Sequence, residues 1–125
     1  MENKEILKII GKAKKDKQVI AVALFGSSLN GKGRDIDICI ILDRKYSNLE
    51  MSKKRLYFLN GLKDIFDVQI FQQLPIYIRI EILKETKVLF CKDEDLLYEV
   101  AFDAIKEFGF FKKVYDMYLG RVKNG

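Results

Sequence analysis

The sequence predicts an α/β (α+β) domain built on a small mixed sheet, with helices packed on one face and a C-terminal helical segment. Three observations lead there. Four short runs rich in β-branched and apolar residues, at 19–25, 35–43, 65–71 and 87–91, have the length of strands. The stretches around them repeat their apolar residues at helical spacing. The two signals alternate along the chain, as they do when helices cover a sheet. At 125 residues, 49% of them apolar, the chain suits one domain with a sizeable core.

Residues 3–15 form the first expected helix, with Ile6, Ile9, Ile10 and Ala13 on its inner stripe. Val19 to Phe25 is a continuous apolar run, read as a central strand. After a polar loop comes a second strand, Asp35 to Asp43. Ser47 or Asn48 is placed to cap a helix whose stripe is Leu49, Ser52, Leu56, Leu59 and Leu62. Ile65 to Phe71 is the third strand, with Phe66, Val68 and Ile70 on one face and Asp67 and Gln69 on the other. Pro75, the only proline, suits the first turn of a helix to about Glu85, lined by Ile76, Ile80 and Leu83; Arg79 reads as a solvated residue on it. Lys87 to Cys91 is a short edge strand.

From Asp93 to Lys123 the apolar residues fall in two stripes. Leu97, Ala101, Ala104, Phe108, Phe111, Tyr115 and Tyr118 make a heptad seam; Leu96, Val100, Ile105, Phe110, Val114 and Met117 make a second one. A small sheet covers one stripe of a helix, so the second is expected to meet a partner, either another copy of the chain or a different protein. The alternative is a break at Gly109 that folds the second half back. The expected division is a core at 1–92 and a helical extension of the same domain at 93–125.

Composition excludes several chemistries. There is no histidine, which removes imidazole bases, Ser-His triads and histidine metal ligands. Cys39 and Cys91 lack zinc spacing and read as buried apolar residues. With no disulfide framework, no signal-peptide core and no run long enough to span a bilayer, the expected location is cytoplasmic. Net charge is +5, from 23 basic and 18 acidic residues. That suits an anionic ligand, but the lysines are dispersed, so a nucleic-acid patch is not expected.

The stretch carrying chemistry runs from Ala23 to Leu42. An apolar run ends at Gly26-Ser27-Ser28; after the loop, Arg34 precedes Asp35-Ile36-Asp37, which opens the next apolar run. Residues i and i+2 of a strand share a face, so Asp35 and Asp37 project side by side. Two carboxylates so placed repel each other, and a divalent cation between them removes the conflict. Magnesium takes carboxylate oxygens together with substrate phosphates. Gly26 has no side chain to keep a phosphate from its backbone, and the N–H groups and hydroxyls of Ser27 and Ser28 suit an anion. Arg34 fits either phosphate binding or a salt bridge to the aspartates.

Gly-Ser followed by Asp-x-Asp at the head of a strand resembles the DNA polymerase β-like nucleotidyltransferase superfamily, and the size resembles its minimal nucleotidyltransferase (MNT) members. That family's third carboxylate, on a neighbouring strand, corresponds to Asp67. Seven residues separate Ser27 from Asp35, a shorter loop than in many relatives. The resemblance implies a nucleotidyltransferase-like fold and transfer of a nucleoside monophosphate, AMP from ATP, to a hydroxyl. It implies two Mg²⁺ ions on Asp35 and Asp37, with Asp67 binding the catalytic metal and helping to deprotonate the acceptor. Gly26, Ser27, Ser28 and Arg34 are the implied nucleotide contacts. The partner implied is a HEPN toxin, adenylylated on a tyrosine, with this chain as antitoxin. The alternative is a non-catalytic antitoxin or nucleotide-binding module that masks its partner by contact. Transfer to RNA or a small molecule would call for an acceptor-binding domain, for which the chain has no room.

Overall fold

The computed structural model describes residues 3–26 and 35–124, with side chains at 4–26 and 35–120. The elements in order are α1 (Asn3–Lys15), β1 (Val19–Phe25), β2 (Ile36–Leu42), α2 (Asn48–Leu59), β3 (Phe66–Ile70), α3 (Ile76–Lys84), β4 (Thr86–Cys91) and α4 (Glu94–Asn124). A 3-10 turn, Phe71–Gln73, links β3 to α3. The strands stand in the order β3-β2-β1-β4. β1 is antiparallel to both β2 and β4, and β2 is parallel to β3, so the sheet is mixed.

Alternation along the strands splits the core in two. Val22, Leu24, Ile38, Ile40, Val68 and Ile70 meet Ile6, Ile9 and Ala13 of α1 and Met51 and Phe58 of α2 on one face. Ala21, Ala23, Cys39 and Ile41 face the other way, toward Ile80 and Ile82 of α3 and Ala104 of α4. Helices were expected on one face only; they cover both. The reason is in the strands themselves: β1 and β2 are apolar at nearly every position, and both faces of such strands must be buried.

Local chemistry sets the element ends. Ser47 Oγ accepts from the Glu50 N–H and caps α2. Lys92 Nζ donates to the carbonyls of Ala13 (3.1 Å) and Asp16 (2.8 Å), closing the C-terminal end of α1. Pro75 precedes α3 as its N-cap. Glu5 is the buried charged side chain among the described residues, and its Oε2 has no hydrogen-bond partner there.

Two expectations change, and one alternative falls. The inner positions of α2 are Met51 and Phe58, while Leu49 and Leu56 are 66% and 63% exposed. α2 carries apolar residues on more than one side, and its seat at the sheet margin selects between them. Arg79 is not solvated: its Nε donates to the Leu74 carbonyl (3.0 Å) and its Nη2 to Glu107 Oε2 (2.7 Å), pinning α3 to α4. Finally, α4 runs through Gly109 without a break. A single glycine costs only about 1 kcal/mol in a helix, too little to end one of this length.

α4 is 31 residues long, about 46 Å. Leu96, Leu97, Val100 and Phe108 pack against the second core. Beyond them Phe110, Phe111, Val114, Tyr115, Met117 and Tyr118 are all exposed. The rings of Phe111 and Tyr115 stack at 6.1 Å.

Candidate active site

The site forms at the end of the sheet where β1 finishes and β2 begins. Phe25 is the register partner of Asp37, and Asp37 is the register partner of Asp67. Asp37 points to the same face as Cys39 and Ile41, where the core ends and the carboxylate is half-buried. Burial, then the neighbouring Asp67, then Asp35 raise its carboxyl above the usual carboxylate range. Asp67 and Asp35 thus both disfavour the Asp37 anion, as like charges within reach do.

Gly26 turns the chain away from β1 with φ of +71°, a conformation that suits a residue without Cβ. A Cβ built there would stand 2.7 Å from Asp37 Oδ2. The close neighbour of this glycine is thus the Asp37 carboxylate.

Asp67 is held from outside the sheet. Arg55 of α2 donates from Nη2 to Asp67 Oδ1 (3.3 Å) and from Nε to the Val68 carbonyl (2.6 Å). Gln69 Nε2 donates to Asp67 Oδ2 (3.1 Å). Among the described residues, no three acidic or cysteine side chains already surround one cation position. Asp35 lies just before β2, exposed. Ser27, Ser28 and Arg34 lie outside the described residues.

Arg55 is the functional neighbour that sequence reading passed over. It sits in a basic stretch, Lys53-Lys54-Arg55, and reads as part of a solvated face. Nothing local signals its link to a carboxylate twelve residues on. Asp43 lies past the other end of β2, where it accepts from the Tyr46 hydroxyl.

A mixed sheet carrying a glycine turn and strand-borne aspartates at one end defines a nucleotidyltransferase-type domain. Residues 7–95 match the family "Polymerase beta, Nucleotidyltransferase", and the chain belongs to it. It is 34% identical over 82 residues to the "Putative protein adenylyltransferase MJ1547" of Methanocaldococcus jannaschii, a match covering 63% of this chain and 62% of that protein. The fold is similar to that of a toxin–antitoxin crystal structure with AMP-PNP (TM-score 0.71, 16% identity, 98% of each chain). It is also similar to a structure of tri-AMPylated Shewanella oneidensis HEPN toxin in complex with MNT antitoxin (TM-score 0.68, 15% identity, 98% of each chain). Among the described residues no helix is long and apolar enough to cross a membrane.

Proposed function

We propose that this chain is an MNT-type antitoxin that transfers AMP from ATP to a hydroxyl, a tyrosine of a HEPN toxin, and so silences it. The observation that carries the reading is the register pairing of Asp37 with Asp67 beside Gly26. It sets two carboxylates on adjoining strands next to a glycine turn, with the Asp37 carboxylate directly against it.

The residues present fit magnesium. Carboxylate oxygens are the hard donors it takes. Asp37 is destabilised as an anion by burial, then by Asp67 and Asp35, and a divalent charge would offset this. Asp67 accepts one hydrogen bond on each oxygen, and a carboxylate offers about four lone-pair positions, so capacity remains. Asp35, Asp37 and Asp67 would hold two ions; when bound, these would neutralise the triphosphate and steady the attacking and leaving oxygens. Asp37 and Asp35 orient the phosphates, Gly26 admits them with Ser27, Ser28 and Arg34, and Asp67 faces the acceptor. Arg55 and Gln69 keep Asp67 in one orientation. The chain divides in this reading into a core at 1–92 and a helical extension of the same domain at 93–125.

The test is incubation of the purified chain with α-labelled ATP, Mg²⁺ and a HEPN-type toxin. Label is expected on a toxin tyrosine, with release of pyrophosphate, and none with Asp37→Asn. An unlabelled toxin in the presence of folded wild-type chain would refute the reading. A second reading, masking by contact, draws on the exposed aromatic run of α4 from Phe110 to Tyr118. It requires that Asp37→Asn still neutralises the toxin. A homodimer through α4 is the outcome if the chain sediments as a dimer that Phe111→Glu disrupts.

A further inference from the structure

We propose that the groove between α2 and the outer edge of β3 is the acceptor subsite, and that it takes a hydroxyl carried on an uncharged polypeptide segment. The proposal builds on the transferase reading above. The groove has a volume of about 490 Å³ and is lined by Ser52, Arg55, Leu56, Gln69, Gln73 and Leu74. Two of these residues, Arg55 and Gln69, donate hydrogen bonds to Asp67. Two side chains of the groove wall thus reach that carboxylate directly.

Its place relative to the nucleotide follows from strand order. β1, β2 and β3 are successive neighbours, with Phe25 paired to Asp37 and Asp37 to Asp67. Gly26, Asp37, Asp67 and the groove thus follow one another along one end of the sheet, at strand spacings of about 4.8 Å. Displacement at phosphorus is in-line, with attacking and leaving oxygens on opposite sides. When the departing phosphates lie toward Gly26, the attacker enters from the Asp67 side. There the acceptor oxygen bonds to the α-phosphorus as the bond from that phosphorus to the bridging oxygen breaks. The electron pair leaves with pyrophosphate, and the hydroxyl proton passes to Asp67.

The lining selects the class of acceptor. Among the described residues that line it, the cation is Arg55, already paired to Asp67 and to the Val68 carbonyl. Among those residues there is thus no free positive group to meet the phosphates of an RNA. Nor is there a carboxylate among them to hold a polycationic small molecule. What remains is two leucines, two side-chain amides and a hydroxyl, the last bonded to Gln73 Nε2 at 2.9 Å. Leu56, 63% exposed, presents apolar surface in the groove. Such a lining matches an uncharged side chain and the peptide groups around it.

The test uses the full chain, labelled ATP, Mg²⁺ and a HEPN-type toxin as acceptor. Ser52 and Leu56 are exposed, so Ser52→Arg and Leu56→Arg leave the core untouched, as melting curves will verify. Each is expected to raise the acceptor KM at least tenfold, with Mg-ATP affinity by calorimetry within twofold of wild type. Leu56→Met should keep the wild-type acceptor KM. An unchanged acceptor KM in both arginine variants, with wild type active, overturns the groove assignment alone. So does a parallel loss of Mg-ATP affinity, which would give the groove to the nucleotide. Labelling of RNA in place of protein overturns the acceptor class. Wild-type chain that binds Mg-ATP and labels nothing refutes the transferase reading, and the groove assignment falls with it.

Discussion

Replacing Gly26 by alanine should separate catalysis from folding. Two costs can be worked from the structure. The first is conformational: with φ at +71°, a residue carrying Cβ loses about 1–2 kcal/mol relative to glycine. The second is steric. The new Cβ meets Asp37 Oδ2 at 2.7 Å where 3.4 Å is ordinary, so the carboxylate must retreat by about 0.7 Å, within the range where misplacement of catalytic groups becomes costly. Against a typical stability of about 5–15 kcal/mol the chain stays folded. Its melting temperature should fall by roughly 3–10 °C. Transfer should fall far more, on the order of a hundredfold, because ångström-scale misplacement of a reacting group costs about that much. Thermal melts and the labelled-ATP assay, run on the same preparations, give both numbers. A Gly26→Ala protein with a lowered melting temperature and wild-type transfer would refute the argument that Gly26 serves the position of Asp37. Coupling is a second check. Combined with Asp37→Ala, the alanine at position 26 should destabilise by less than it does alone, since the clash is gone.

Three further outcomes are expected. Asp37→Asn should abolish transfer while raising the melting temperature of the metal-free protein at neutral pH. Burial, Asp67 and Asp35 raise the native carboxyl above its unfolded value. Between those two values the native state binds more protons, so wild-type stability falls as pH rises through that window. The asparagine variant should lack that fall, and melts as a function of pH will detect its presence or absence. Arg79→Ala should destabilise by about 1–2 kcal/mol, losing bonds to Glu107 and to the Leu74 carbonyl; chemical denaturation should give a double-mutant coupling with Glu107→Ala. Phe111→Glu with Tyr115→Glu should leave stability within about 0.5 kcal/mol, because both side chains are exposed, yet weaken partner binding at least tenfold by calorimetry.

Much of this architecture was legible without coordinates, and the reasons are local. The α1 stripe of Ile6, Ile9 and Ala13, the boundaries of β1 and the serine cap of α2 depend on a few adjacent residues, and each falls where the pattern puts it. The pairing of Asp67 with Gln69 on one face of β3 follows from the two-residue repeat of a strand, and the structure adds the hydrogen bond between them. Family membership, too, was carried by a compact motif between Gly26 and Asp37 and one later aspartate.

Tertiary structure decided what depends on distance along the chain. Which side of α2 is buried was ambiguous, because leucines lie on more than one face; packing on β3 chose Met51 and Phe58 and left Leu56 on the rim of a groove. The second layer of helices arises because strands apolar on both faces need covering twice. Arg79 and Arg55 look like surface charges in sequence, and their partners, Glu107 and Asp67, stand twenty-eight and twelve residues away. No periodicity encodes such contacts, since they exist only when separate elements meet. The sequence by itself therefore determined the elements, the family and the three aspartates of its pattern. The fold decided which charges pair and which apolar faces stay open. Those outcomes depend on burial and distance between segments, which no local pattern contains.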